Sequence, residues 1–221
     1  MASKNSFRVC LPLLLVALVA FGSSCATTHS SVPSNGTGWL EPSPTLKRRI
    51  DDEGKRVPYT HGVERIELIR WFATVGEPAY PKLLELAADP RMDVAIAAFA
   101  AIGATRDSRL IPYLEGITIP DGPDAVDLRL ERARTLLRLG DWGAVPTLIS
   151  GLSDERMFTR ALCSQALNEA TKENFGFDPK AEPAQSTEAI AKWQAWWKER
   201  SADSMLPKGA AQQKEKKSSG D

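Results

Sequence analysis

The chain has 221 residues, of which 43% are hydrophobic and 25% are charged, so it can form one domain with a substantial core and additional tails. Basic and acidic residues balance at 28 each, and removal of a leader that contains Lys4 and Arg8 leaves 26 basic against 28 acidic residues. This slightly negative product argues against electrostatic binding of nucleic acid, and no nucleic-acid partner is expected.

The first 24 residues have the pattern of a secretory signal peptide. Lys4 and Arg8 give a positively charged start, and an apolar run from Val9 to Phe21 follows. This run is too short for a comfortable membrane span and ends on three small residues before Cys25. We therefore expect residues 1–24 to be removed on export.

Cys25 resembles the lipobox cysteine of bacterial lipoproteins, because it follows the apolar run and a few small residues. The family pattern carries an aliphatic residue three positions earlier, where this chain has Gly22. The resemblance implies lipidation of Cys25 by a diacylglyceryl thioether and an acyl chain such as palmitate, which would anchor the protein in the membrane. Since Ala26 rather than Asp follows, it also implies an outer-membrane lipoprotein that faces the periplasm. The alternative is cleavage after Ala26, which would release a soluble periplasmic protein.

Residues 25–56 are rich in Ser, Thr, Pro and Gly, with Trp39-Leu40 as the one sizeable apolar pair. Such a composition buries too little apolar surface to offset the entropy of ordering the chain. We therefore predict a flexible tether from Cys25 to residue 56.

Helical periodicity dominates residues 57–200, which predicts an all-α domain. A short pattern recurs in which a proline follows an apolar or aromatic residue and precedes a leucine by two, as expected at a helix start. The three prolines are Pro81, Pro112 and Pro146. The helices between them are expected to end at Gly76, Gly103 and Gly140, where glycine can adopt the left-handed conformation, and a fourth before Thr171.

These helical hairpins resemble HEAT repeats, particularly the short repeats of phycobilin lyase subunits, over about residues 62–170. The resemblance implies a short right-handed α-solenoid in a bacterial HEAT-repeat lipoprotein. A final helix at residues 186–200 carries Trp193, Trp196 and Trp197 on one stripe, which we interpret as a cap for the last repeat. The alternative is a ligand platform. Residues 201–221 are predicted to be a disordered tail.

Residues suited to catalysis or metal binding are sparse. The two histidines, His29 and His61, are far from any cluster with metal-ligand spacing, and there is no Gly-rich phosphate loop. Cys163 lies within a predicted repeat helix and is expected to be a core residue. The acidic residues fall mostly at turns, where Asp caps free backbone amides. We therefore predict no catalytic residue, no metal site and no cofactor.

The second helix of each unit usually lines the binding surface in this kind of protein. The resemblance therefore gives five candidate binding residues, namely Lys82, Glu85, Tyr113, Thr147 and Ser150. Tyr113 is the strongest, because aromatic residues are enriched at binding hot spots.

The expected function is a non-catalytic protein-binding scaffold or adaptor of the bacterial cell envelope, anchored by lipid at Cys25. Its partner would be another protein. One alternative is a soluble periplasmic HEAT-repeat enzyme subunit or ligand-binding protein, and a second is a domain that contacts cell-wall polymer through the lysines of its tail.

Overall fold

The computed structural model describes residues 38–119, 121–122, 125–203 and 205–206, and this part of the chain contains nine α-helices and no strand. The all-α prediction is confirmed. The signal peptide, Cys25 and the tail beyond residue 206 lie outside the described residues. The helices are α1 Pro44–Arg56, α2 Gly62–Val75, α3 Tyr80–Ala87, α4 Met92–Thr105, α5 Ile111–Glu115, α6 Ala125–Arg138, α7 Val145–Gly151, α8 Met157–Thr171 and α9 Thr187–Arg200.

The three recurring prolines lie where the sequence predicted them, at the second residue of α3, α5 and α7. In each case a single 3₁₀ turn precedes the helix, at Glu77–Ala79, Ser108–Leu110 and Trp142–Ala144. The fixed φ of proline suits a first helical turn, where its missing N–H costs no hydrogen bond. These starts give α3, α5 and α7 a common geometry, and we call them the proline-started helices.

Two of the three predicted glycine ends are confirmed. Gly76 follows α2 with φ 68°, and Gly140 has φ 98° shortly after α6. The prediction for Gly103 is wrong, because α4 continues to Thr105 and is ended by Arg106 at φ 56°. Gly103 is instead buried inside α4, where it faces Thr135 and Arg138 of α6.

The core is organised around α4, which contacts α2, α3 and α6, and continues through α6 to α7 and α8. Small residues make up much of the buried surface of α4, including Ala95, Ala98 and Ala101. The Thr135 hydroxyl of α6 donates a hydrogen bond to the Phe99 carbonyl of α4 at 3.1 Å. A short side chain of α6 therefore reaches the backbone of α4 directly.

The expected tether is wrong for residues 38–56. The Ser43 side chain caps α1 by accepting a hydrogen bond from the Leu46 amide at 3.3 Å, and α1 packs against α3. Trp39 is only 8% exposed and Ile50 is also buried. The average composition of residues 25–56 is polar and does not reveal that Trp39 and Ile50 are buried. Residues 25–37 lie outside the described part of the chain.

The loop between α8 and α9 is held by one buried arginine. The Arg160 guanidinium donates hydrogen bonds to the carbonyls of Pro179 and Ala181 in the loop, and to those of Asp154 and Glu155 before α8, at 2.8–3.3 Å.

The final helix α9 packs through Trp193, which is buried edge-on against Phe175 with 4.8 Å between ring centroids.

We expect Arg160→Lys to lower the free energy of unfolding by about 3 kcal/mol, because an ammonium group cannot reach all four carbonyls and leaves some unsatisfied. Urea unfolding followed by circular dichroism measures this loss. Arg156→Lys is the matched control, because the Arg156 side chain is half exposed and should lose far less stability. Equal losses in the two variants would contradict the role of Arg160.

Candidate binding face

The five predicted binding residues all lie on the proline-started helices α3, α5 and α7. Lys82 of α3, Tyr113 of α5 and Thr147 of α7 each directly follow the helix-start proline. We call the surface formed by Lys82, Glu85, Tyr113, Thr147 and Ser150 the proline-helix face. The structure divides it into three local environments, which involve different partners.

Lys82 and Glu85 form the first environment. The Lys82 ammonium lies 2.6 Å from the Glu85 carboxylate and 3.5 Å from that of Asp51 in α1. Burial opposes the charge on Lys82, but the two carboxylates outweigh burial and raise its pKa. Its stem packs against Gly54, where a methyl group would come within 3.0 Å of Lys82 Cδ. Lys82 therefore joins α1 to α3, and its side chain is only 21% exposed.

Tyr113 lies in the second environment, where it contacts an aromatic residue of the same chain. The Trp39 ring packs edge-on against Tyr80 at 5.1 Å and tilted against Tyr113 at 5.3 Å, between ring centroids. The Arg109 guanidinium lies over the Trp39 ring at 5.2 Å, a distance at which a cation is attracted to the indole face. We call this space between α3 and α5, filled by Trp39, the first slot.

The backbone next to Trp39 is also held. The Leu40 amide donates a hydrogen bond to the Glu77 carboxylate at 3.1 Å. Glu77 and Asp107 both accept hydrogen bonds from Arg109, so the cation over the Trp39 ring is fixed from two sides. The first slot therefore holds the chain at Trp39 and Leu40 through one aromatic ring and one backbone amide.

Asp107 completes the wall of the first slot. Its carboxylate accepts a hydrogen bond from the Tyr80 hydroxyl at 3.0 Å and caps the 3₁₀ turn through the Arg109 amide, also at 3.0 Å. The Arg109 guanidinium beside it lowers the pKa of Asp107. Burial raises the pKa of Tyr80, so its hydroxyl stays protonated and donates at neutral pH.

The same pairing of an aspartate with the arginine two positions later occurs at Asp89/Arg91 and at Asp154/Arg156. Such aspartates were predicted to cap backbone amides, and each does accept a hydrogen bond from the backbone amide of its arginine. The ion pairs were missed, although the recurring Asp-x-Arg spacing was the signal for them.

Thr147 lines the third environment, a cavity of about 210 Å³ between α5, α6 and α7. We call it the second slot. Its walls include Glu115, Arg132, Leu136, Asp141 and Gly143. Ser150 is exposed one turn beyond Thr147, and its hydroxyl donates to the Thr147 carbonyl at 2.7 Å rather than lining the cavity.

The remaining candidates for chemistry lie elsewhere. Cys163 is fully buried in α8, as expected of a core residue, and burial raises the pKa of its thiol to about 12. His61 is an exposed residue directly before α2, whereas His29 lies outside the described residues. Within the described ranges, no three His, Cys, Asp or Glu side chains are grouped as metal ligands. No helix in this part of the chain is long and apolar enough to span a membrane.

We expect Trp39→Ala to lower the free energy of unfolding by about 2–4 kcal/mol, because it removes a large buried ring from the first slot. The neighbouring variant Leu40→Ala is the control, since the Leu40 side chain is 63% exposed and should change stability by about 0.5 kcal/mol or less. Urea unfolding measures both. A loss for Trp39→Ala no larger than for Leu40→Ala would show that the segment is only loosely attached.

Comparison of this chain with models of protein families, with curated proteins and with solved structures finds no match in any of the three. The chemistry of the proline-helix face therefore rests on the geometry described above.

Proposed function

We propose that this protein is a lipid-anchored adaptor of the bacterial cell envelope, which binds another protein through the proline-helix face. The observation that carries the proposal is the first slot, where this face already holds a segment of its own chain by the Trp39 ring and the Leu40 amide. A surface that accommodates a segment of its own chain in this way has the chemistry needed to hold a peptide of a partner.

We further propose that the helices form a short right-handed solenoid that looks like HEAT repeats. In support, α2, α4, α6 and α8 contact one another in succession, while α3 packs against α4 and α7 packs against α6 and α8. Repeat-spaced ion pairs, such as Arg109 with Glu77 and Arg156 with Asp127, join neighbouring units.

In the same proposal α9 is the terminal cap rather than a ligand platform. It contacts α7, and its central residue Trp193 is buried against Phe175 instead of facing solvent. A terminal element of this kind covers the last apolar surface of a repeat array.

In this proposal an acylated Cys25 anchors the protein, and the tether between Cys25 and the folded domain is shorter than the sequence predicted. Trp39 is buried, so the chain is attached to the domain from about residue 38 instead of residue 56. Fourteen steps of extended chain reach at most about 50 Å, at about 3.3–3.6 Å per residue. The domain would therefore stay close to the membrane surface.

The anchor is tested by intact mass of the mature protein purified from cells. We expect an acylated N-terminal Cys25, and we expect Cys25→Ser to release the protein from the membrane fraction. An unmodified N-terminus after Ala26 would replace the adaptor with a soluble periplasmic protein.

The binding face is tested by photo-crosslinking in cells, with a photoreactive amino acid at Tyr113 or at Thr147. We expect both to capture the same protein in a constant ratio. The control position is Gln165, which is exposed on α8. Equal capture from Gln165, or none from either face position, would count against the proline-helix face.

A further inference from the structure

Three consecutive cations begin at the fourth residue of α1. They are Lys47, Arg48 and Arg49, and all three are exposed. We call them the α1 cationic cluster. The helix macrodipole favours acidic residues near the N-terminus of a helix, yet the first turn of α1 contains none. The charge order of α1 therefore gives the α1 cationic cluster no support from its own helix.

The α1 cationic cluster also lacks the ion pairs that its spacing offers. Three acidic side chains lie one helical turn later, at the i, i+4 positions that pair best with it, and each pairs with a different cation instead. These pairs are Asp51 with Lys82 at 3.5 Å, Asp52 with Lys55 at 3.1 Å and Glu53 with Arg56 at 2.6 Å. Among the residues that the structure describes, no carboxylate forms a salt bridge with the α1 cationic cluster. Its positive charge is therefore available to a ligand.

Arg49 is positioned by an aromatic ring rather than by a carboxylate. Its guanidinium lies over the Trp71 ring, 5.1 Å from the centroid. A guanidinium stacked in this way keeps its in-plane N–H groups for a second partner, and their fork matches the oxygens of a phosphate. Lys47 and Arg48 add two further cations beside it. The α1 cationic cluster therefore has the donors that phosphate groups require.

The α1 cationic cluster lies close to the point where the chain joins the domain. Lys47 lines one cavity together with Leu40, whose side chain is 63% exposed. Residues 38–50 contain a single acidic residue, Glu41, against the three cations. An acylated Cys25 would keep this region within about 50 Å of the membrane. Such a tether raises the effective concentration of lipid headgroups at the cluster.

We propose that the α1 cationic cluster binds the phosphate headgroups of anionic phospholipids in the membrane that holds the anchor, with Leu40 entering the interface beside them. This inference rests on the proposed function and specifies which side of the anchored domain faces the membrane. Cations next to an exposed apolar side chain bind such a surface by charge and by buried area together. The slightly negative charge of the mature chain disfavours nucleic acid as the anionic ligand.

The test uses the mature chain, residues 25–221, with Cys25→Ser, so that no acyl chain contributes to binding. Its sedimentation with vesicles of equal parts phosphatidylglycerol and phosphatidylcholine is compared with its sedimentation with pure phosphatidylcholine vesicles. We expect at least about tenfold stronger binding to the anionic vesicles, because each cation near such a surface contributes about fivefold. Salt at about 0.5 M should abolish the difference, since it shortens the Debye length to about 4 Å.

Variants of the protein locate the surface. Replacement of two cations, Lys47→Gln with Arg48→Gln, should weaken binding to the anionic vesicles by about 25-fold. The matched control is Lys198→Gln with Arg200→Gln, which removes the same charge from exposed positions in the last turn of α9. This control should change binding by about twofold or less, because charges far from the surface are screened. Urea midpoints confirm that each variant is folded.

A label at Leu40 reports contact with the lipid. Leu40→Cys is modified with an environment-sensitive fluorophore, while Cys163 is fully buried and does not react in the folded protein. We expect the emission to shift to the blue when anionic vesicles are added. The control position is Gln165→Cys, which is exposed on α8 and should show no shift. An unchanged spectrum at Leu40→Cys during binding would exclude the insertion of this residue.

Two results would overturn the inference. One is equal binding to the two kinds of vesicle. The other is an equal loss of binding in the α1 and α9 double variants, since only net charge would then matter. Acylation of Cys25 is read separately from the intact mass, so the two proposals can fail independently. A protein that is acylated in cells but does not bind anionic vesicles would leave the adaptor standing and remove this docking surface.

Discussion

The fold depends on how closely other helices approach α4. Its buried surface is built largely from alanine and from Gly103, so α2, α3 and α6 all pack against it at short range. Close approach is what allows the Thr135 hydroxyl to reach the Phe99 carbonyl across the α4/α6 interface. Larger side chains there would separate the helices, because well-packed cores accept added volume only with strain. The contact with α4 positions the proline-started helix α3. Tyr80 at the start of α3 forms one wall of the first slot.

Arginine has two distinct roles in this domain. Arg109 and Arg156 are about half exposed, and each pairs with a local aspartate and with a carboxylate 32 or 29 residues earlier in the chain. Exposed pairs of this kind contribute little stability. Arg160 is different, because it is buried and satisfied by backbone carbonyls alone. The buried guanidinium is stable there because its N–H groups find backbone carbonyl acceptors. These hydrogen bonds tie the loop before α9 to α8.

Local signals predicted the elements of the fold well, whereas long-range contacts were not predictable from them. Proline has a local effect on φ, so the starts of α3, α5 and α7 were found directly. The prediction for Gly103 failed because α4 continues through this glycine to Thr105. The contact between Trp39 and Tyr113 joins residues 74 positions apart, so no local pattern points to it. Lys82 was predicted as a binding residue, and its ion pair with Asp51 depends on α1, which the sequence did not predict.

Any partner segment that uses the first slot must displace Trp39. Trp39 is joined to α1 by only a few residues, and a segment tethered so closely competes with an effective concentration of about millimolar or above. A partner at micromolar concentration would need about a thousandfold higher intrinsic affinity to displace it. The Trp39 segment in turn holds Arg109 and Tyr113 in place at the edge of the proline-helix face.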